Sequence, residues 1–370
     1  MTALHTTTVN SNTTAATPPP VAPVPGSSVP GALMAAEILE QPEALARLLE
    51  HGRPDIARLA GILRDADIRY VLLAARGTSD HAALYAKYLI ETVLGLPAGL
   101  ASPSSLTVYG AEPKMDGVLW LAVSQSGGSP DLVDSTAAAA RGGALTVAVT
   151  NAPSSPLAAA SRHHLDILAG PERAVAATKS YTSQLLALWL LIDAWAGGNG
   201  AEAADLPRHA ADVLARPEIL EVADRYRFVN HIITTGRGFS YPTAREAALK
   251  LMETSYLAAH AFSGADLLHG PFAMIDADRP VIAVASPGAG GRALHPVLDR
   301  LAERGADVCL VGDAGAARPG NHVVPLPAVH EQLAPVLEIM PLQRLAHAMA
   351  SARRRDPDAP RGLRKITETW

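Results

Sequence analysis

The chain has 370 residues, 48% of them hydrophobic and 18% charged, with a formal net charge of -5. That length allows two domains with cores of their own, and a mildly acidic balance without a Lys/Arg run argues against nucleic acid as a main partner. The single cysteine, Cys309, sits in the apolar run Val308-Cys309-Leu310-Val311 and excludes a disulfide framework or a Cys-rich zinc site, which fits a reducing cytoplasm.

Residues 1 to about 31 are mostly Thr, Asn, Ala, Pro and Ser. Such a tract cannot bury enough surface to offset ordering entropy, so a disordered segment is expected over 1–34. It has neither a basic start nor a continuous apolar stretch, so no secretory signal is expected. No run reaches about 18 consecutive apolar residues, so no membrane span is expected and the cytoplasm is the expected location.

An internal repeat organises the rest of the chain. The apolar run Tyr70 to Ala75 predicts a strand ending in Arg76-Gly77-Thr78-Ser79, with a helix from Asp80 to Leu94. Next come a strand at Val118–Val123, a helix at Pro130–Arg141, a strand at Leu145–Val149, a short helix, a strand at Leu165–Leu168 and a long helix at Thr178–Trp195. The plan then restarts. His231 to Thr235 runs into Gly236-Arg237-Gly238-Phe239-Ser240 and a helix, followed by a strand at Val281–Ala285, a helix at Arg292–Arg304 and a strand at Asp307–Val311. Both copies place Arg-Gly-x-Ser at a strand-to-helix junction. Continuous apolar strands separated by helices imply an α/β fold of two tandem, doubly wound parallel sheets, over 35–197 and 215–350, with a C-terminal tail at 351–370.

Open parallel sheets bind ligands beyond the carboxyl ends of their strands, near helix N-termini. Three loops of the first domain lie there: Gly77-Thr78-Ser79, Ser124-Gln125-Ser126-Gly127-Gly128-Ser129-Pro130-Asp131, and Ala174 to Ser180. Small side chains let backbone N–H groups approach an anion, and the hydroxyls add neutral donors. A dianionic phosphate monoester suits such a nest without an arginine cluster or a metal. The plainer alternative is that Ser and Gly make a turn and cap a helix. No phosphate-loop or dinucleotide fingerprint is present, so no cofactor is expected.

Three charges mark the helix of the second copy. At about 100° per residue, Glu246, Lys250 and Glu253 fall within about 60° of one another on one face. The alternative for these residues is a solvated face of ordinary ion pairs. The thirteen histidines show no metal spacing. His163 and His164 read as a strand-start pair, His81 and His260 as structural or rim residues, and His269 as a ring presented by the Gly-Pro turn of Leu268-His269-Gly270-Pro271. The proline-punctuated tail from Asp356 to Thr367 reads as a frayed end, unless its lysine swings in, loses water and attacks a carbonyl.

Together these residues resemble the sugar isomerase (SIS) domain family, with the nearest likeness to the isomerase half of glucosamine-6-phosphate synthase and to free-standing isomerising glucosamine-6-phosphate deaminases. The carrying motifs are Arg-Gly-Thr-Ser at 76–79, Ser-Gln-Ser-Gly at 124–127, Ala-Ala-Thr-Lys-Ser-Tyr-Thr-Ser-Gln-Leu at 176–185, Glu-Ala-Ala-Leu-Lys-Leu at 246–251, Leu-His-Gly-Pro at 268–271 and Pro-Arg-x-Leu-x-Lys at 360–365. The resemblance implies that Ser79, Ser124, Gln125, Ser126 and Ser129 hold a sugar phosphate, with Gly77, Thr78, Val175 and Ala177 beside it. It implies that Glu253 is the base moving a proton between C1 and C2, with Lys250 and Glu246 lining its face. It implies that His269 opens the sugar ring from the neighbouring subunit of a homodimer, and that Lys365 forms an imine with the open chain. The synthase carries a glutaminase domain that this sequence lacks, so amide-dependent synthesis is not expected. Met252 replaces a lysine usual beside the catalytic glutamate, and His260 and Asp266 stand where many relatives have glutamates.

The expected activity is isomerising deamination of glucosamine 6-phosphate to fructose 6-phosphate and ammonia. Two alternatives stay open. The same base at C2 could eliminate water from N-acetylglucosamine 6-phosphate, an option motivated by the less cationic Met252 and His260. The chain could instead be a sugar-phosphate sensor without catalysis.

Overall fold

The computed structural model describes residues 29–365. Its strands form two five-stranded, wholly parallel sheets. The first contains β1 (Tyr70–Ala74), β2 (Ala98–Leu100), β3 (Val118–Val123), β4 (Leu145–Thr150) and β5 (His163–Asp166) in the order β2-β1-β3-β4-β5. The second contains β6 (His231–Gly236), β7 (Ala258–Ser263), β8 (Val281–Ala285), β9 (Val308–Gly312) and β10 (His322–Pro325) in the order β10-β9-β8-β6-β7. Read from the opposite edge, the second order repeats the first. The repeat seen in the motifs is therefore a repeat of topology.

The central strands are the apolar runs expected, and β3, β4, β8 and β9 are buried almost throughout. Edge strands β2, β7 and β10 have no counterpart among the expected elements. Each has a half-exposed burial pattern, so none carries the continuous apolar run that marks a strand covered on both faces. β5 begins at His163, two residues before the expected Leu165, and pairs Val147 with His163. The histidine pair does stand at a strand start.

The expected Asp80–Leu94 helix begins earlier, at Thr78, runs to Leu89 and widens into one π-helical turn over Ile90–Leu94. Gly77, at φ 55°, makes the sharp entry to this helix, a backbone region that only glycine visits without strain.

Two expectations need correction. Residues 1–28 lie outside the described residues, but 29–34 are described, and a helix begins at Ala32, inside the segment assigned to disorder. Met34 is fully buried, and the Asp358 carboxylate accepts the Leu33 and Met34 backbone N–H groups at 2.9 and 2.8 Å. The tail thus caps a helix more than 300 residues away in sequence.

Nor does each domain keep a core to itself. The largest apolar cluster runs from Met34 to Met349 and includes Val71 and Leu73 of β1 together with Ile232, Ile282 and Val284 of the second sheet. The Thr78–Leu89, Lys179–Trp195, Ser240–Ser255 and Ala334–Ala352 helices form the seam. Lys179–Trp195 and Ala334–Ala352 are buried on nearly all sides, as a helix must be when sheets cover it from both directions. Among the described residues no helix is long and apolar enough to cross a membrane.

Candidate active site

The carboxyl ends of β1 and β3 open onto a cavity of about 280 Å³. Gly77, Thr78, Ser79, Ser124, Gln125, Ser126, Ser129, Val175 and Ala177 all line it, as do Glu253 from the second domain and Lys365 from the tail. Three separated sequence regions therefore meet around one space. Arg76, Leu132, Ser180, Leu363 and Arg364 complete the wall.

The loop after β3 is shaped by its own side chains. Ser124 Oγ accepts the Gly127 N–H at 3.1 Å, and Ser126 Oγ accepts the Gly128 N–H at 3.3 Å. Gly127 has φ 62°, and a Cβ there would come within 2.2 Å of Ser155 Oγ, so the turn requires glycine. Ser79 Oγ is held by the Gln184 amide at 2.9 Å. Ser129 precedes the Pro130–Arg141 helix without capping it through its side chain, which leaves its hydroxyl for a ligand at a helix N-terminus. Arg76 pairs with the buried Asp131 at 2.7 Å and brings a cation to the rim.

Glu253 is the one member of the three-charge face that reaches the cavity. Its carboxylate accepts from Lys250 Nζ at 2.5 Å and is partly exposed. Lys250 and Glu246, expected to line the face beside substrate, are fully buried behind it. Lys250 Nζ also donates to Thr78 Oγ1 at 3.0 Å and lies 3.3 Å from Glu246 Oε1. Thr78 Oγ1 in turn donates to Glu246 Oε1 at 3.0 Å, and His81 Nδ1 donates to Glu246 Oε2 at 2.7 Å. These are buried, saturated ion pairs and not a solvated helix face.

Burial would lower the Lys250 ammonium, but the Glu246 and Glu253 carboxylates outweigh it and hold it above the ordinary lysine range. Burial would likewise raise Glu246, yet Lys250, His81 and Thr78 together hold it below the ordinary glutamate range. Both remain charged near neutrality. His81, read from the sequence as a structural or rim residue, is thus a direct partner of this network; no spacing rule connects it to a helix 165 residues further on.

Lys365 is drawn in by another residue the sequence did not flag. Its ammonium donates to Glu172 Oε2 at 3.1 Å and to the Ala174 carbonyl at 2.6 Å. Glu172 is fully buried in the loop after β5 and accepts from Thr178 N, Ser180 N and Ser180 Oγ at the start of the Lys179–Trp195 helix. Burial alone would raise its carboxyl, and Lys365 with those donors brings it below the ordinary range. Upstream, the tail is pinned by Tyr256, whose hydroxyl accepts the Arg361 N–H at 2.9 Å and whose ring lies under the Arg355 and Arg361 guanidiniums. From Arg355 to Lys365, the tail is a fastened element and not a frayed end.

Other expected residues lie elsewhere. His269 is exposed in the turn after the Gly264–Leu268 helix and does not line the cavity of its own chain. Met252 and His260 line a separate cavity of about 370 Å³, with Asp80, His81 and Arg245. Asp266 is exposed and bonded to Ser263. Within one chain, none of Met252, His260 and Asp266 lines Glu253's cavity. Among the described residues no cluster of His, Cys, Asp and Glu is arranged to hold a metal.

The second sheet shows why only one copy of the plan is open. Its loop after β8, Ser286 to Gly291, stands where Ser124–Ser129 stands in the first sheet. There the chain's own Glu331 accepts the Ala289 and Gly290 N–H groups at 2.9 and 2.6 Å. Glu338 accepts from Ser240 Oγ, Ser286 Oγ and Thr243 Oγ1 at 2.6, 2.6 and 2.9 Å, where the first copy has the neutral Gln184 against Ser79. Burial pushes the Glu338 carboxyl above its ordinary range, and the hydroxyl donors offset this only in part. Two carboxylates fill the second nest.

Fold and cavity together define a protein of two tandem α/β sheets with a hydroxyl-lined cavity at the carboxyl ends of the first. Residues 62–194 and 226–350 match the SIS domain family, to which this chain belongs. It is 36% identical over 356 residues to a glutamine–fructose-6-phosphate aminotransferase (isomerizing) of Gloeobacter violaceus and 36% identical over 354 residues to that of Thermus thermophilus. Each match covers 90% of this chain and 58% of the relative, so the chain spans well under two thirds of these proteins. A solved structure from Silicibacter pomeroyi DSS-3, assigned as a phosphosugar isomerase, superposes with a TM-score of 0.80 at 40% identity, covering 88% of this chain and 99% of that one. The C-terminal domain of the Francisella tularensis glucosamine-fructose-6-phosphate aminotransferase gives a TM-score of 0.80 at 28% identity, covering 89% and 98%.

Proposed function

We propose that this chain is an amino-sugar phosphate enzyme that opens glucosamine 6-phosphate, removes the C2 proton and carries out isomerising deamination. The supporting observation is the convergence on one cavity of a hydroxyl-rich nest, a carboxylate and a tail lysine. The phosphate sits in the loops after β1 and β3, against Ser79, Ser124, Gln125, Ser126 and Ser129, and orients the sugar. Glu253 takes the proton from C2 of the open-chain aldose and returns it at C1. The C2 imine so formed adds water and releases ammonia, leaving fructose 6-phosphate. Lys365 is the covalent relay, an imine partner once its ammonium has passed a proton on. His269 opens the ring from the second subunit of a homodimer, since its own chain keeps it away from the cavity.

The decisive experiment is an NMR time course in deuterium oxide with glucosamine 6-phosphate and with its N-acetyl form. Ammonia, fructose 6-phosphate and solvent deuterium at C1 or C2 are expected from the free amine. Binding without deuterium entry would turn the reading into that of a sensor. Loss of water from the N-acetyl sugar without ammonia would replace deamination by elimination.

A further inference from the structure

We propose that His81 is a positioning residue for Glu253: its Nδ1–H fixes Glu246, which fixes Lys250, which aims the Glu253 carboxylate. This inference rests on the reading of Glu253 as the base. The contacts form a continuous path, His81 Nδ1 to Glu246 Oε2 at 2.7 Å, Glu246 Oε1 to Lys250 Nζ at 3.3 Å, and Lys250 Nζ to Glu253 Oε2 at 2.5 Å. Thr78 Oγ1 braces its middle, donating to Glu246 and accepting from Lys250. His81 does not touch the substrate cavity, so it acts through Glu246 alone.

The competition at Lys250 is what makes His81 matter. One ammonium serves two carboxylates, and its shorter contact is with Glu253. A carboxylate with no access to water demands every donor it can find. With His81 present, Glu246 Oε2 is satisfied and Oε1 leaves Lys250 free to lean towards Glu253. Without that donor, the Lys250 ammonium, already 3.3 Å from Glu246 Oε1, shifts towards Glu246, and Glu253 loses the contact that aims it. Misplacement of a reacting group by about 1 Å costs on the order of 10²-fold in rate. The other charged groups facing His81 are Asp80 on its own helix, Arg245 and His260 around the neighbouring cavity. Asp80 is an acceptor, and Arg245 lies 3.9 Å from it and makes no hydrogen bond to Glu246, so neither supplies the missing donor.

The test compares His81→Leu, His81→Asn and His81→Ala. Asparagine places an amide N–H near the position of imidazole Nδ1, whereas leucine fills the space without a donor. His81→Leu is expected to lower kcat about 30-fold with KM for glucosamine 6-phosphate changed by no more than about threefold, the signature of an interaction that acts on the reacting step. Deuterium entry at C2 should slow in parallel. His81→Asn should recover the rate to within about fivefold of the parent chain. Because His81 borders an open cavity of about 370 Å³, added imidazole should restore part of the His81→Ala rate, which keeps the proposal testable if the leucine variant does not fold. A His81→Leu enzyme with parental kcat would overturn it, as would an asparagine variant as slow as the alanine one with no imidazole rescue. If the parent chain itself exchanges no C2 proton, it is the base assignment that fails, an outcome read on the parent alone and therefore distinct from an active parent whose His81 variants keep its rate.

Discussion

Lys250 bears on both stability and the proposed reaction. It is wholly buried between Glu246 and Glu253, and removing one partner of such a pair leaves an uncompensated charge. Lys250→Met should therefore cost about 3–5 kcal/mol of stability, measured as a drop in urea midpoint, and should also slow turnover. Acid titration gives a second reading. Glu246 and Glu172 have folded values below the ordinary 4.5, so the stability they contribute is present above that value and lost as pH falls through the folded values. Glu37 and Glu338 are raised and run oppositely, favouring the folded state at low pH and losing that contribution as pH rises through their folded values. In Lys250→Met, Glu246 keeps His81 and Thr78 but loses its largest counter-charge, so its carboxyl rises and its share of the acid loss of stability should shrink; an unchanged slope of stability against pH would show that Lys250 does not hold Glu246 down. At the proposed base, Glu253→Gln should lower kcat by roughly 10²–10⁴-fold with phosphate-ester binding largely intact, as isothermal titration beside turnover would show.

The element whose behaviour depends most on tertiary contacts is the tail. Asp356 and Asp358 tie it to the Ala32–Leu39 helix, Tyr256 pins its middle and Glu172 receives its lysine. None of these fasteners is an apolar core residue. Truncation before Arg361 should consequently leave the melting temperature within about 3 °C, while turnover falls at least about tenfold through loss of Lys365. A large fall in melting temperature would show that the tail supports the fold. Glu172→Gln keeps the oxygen that accepts the Thr178 and Ser180 N–H groups but removes the charge that holds Lys365, and it should reproduce much of the loss of turnover with the tail still attached.

At the scale of the molecule, the two sheets share a topology but not a chemistry. The first nest is open, whereas Glu331 and Glu338 fill the second. Titration calorimetry with fructose 6-phosphate should give one site per chain, and a stoichiometry of two would mean that Glu331 yields to phosphate. The proposed dimer makes its own prediction. Glu253→Gln and His269→Ala homodimers, each nearly inactive, should regain roughly a quarter of parental activity after mixing and subunit exchange, because one site in a mixed dimer would have both residues intact. No recovery despite demonstrated exchange would count against a histidine supplied across the interface.

From residues alone came the α/β class, the repeat, the central strands and the loops that meet at the cavity. Each depends on local signals: apolar runs about five residues long, glycines at sharp turns, hydroxyls after a strand. Edge strands β2, β7 and β10 were illegible because their half-exposed faces carry no such run. The contacts of His81, Glu172 and Glu331 were illegible for a different reason. Each is a lone polar residue whose meaning depends on a partner brought close only by packing, 165 residues away for His81 and 193 for Glu172. Sequence determined which groups are present and which local turns present them; only the tertiary structure decided which carboxylate faces the cavity, which is buried behind it, and which plugs the second nest, because a charge out of water is defined by its neighbours.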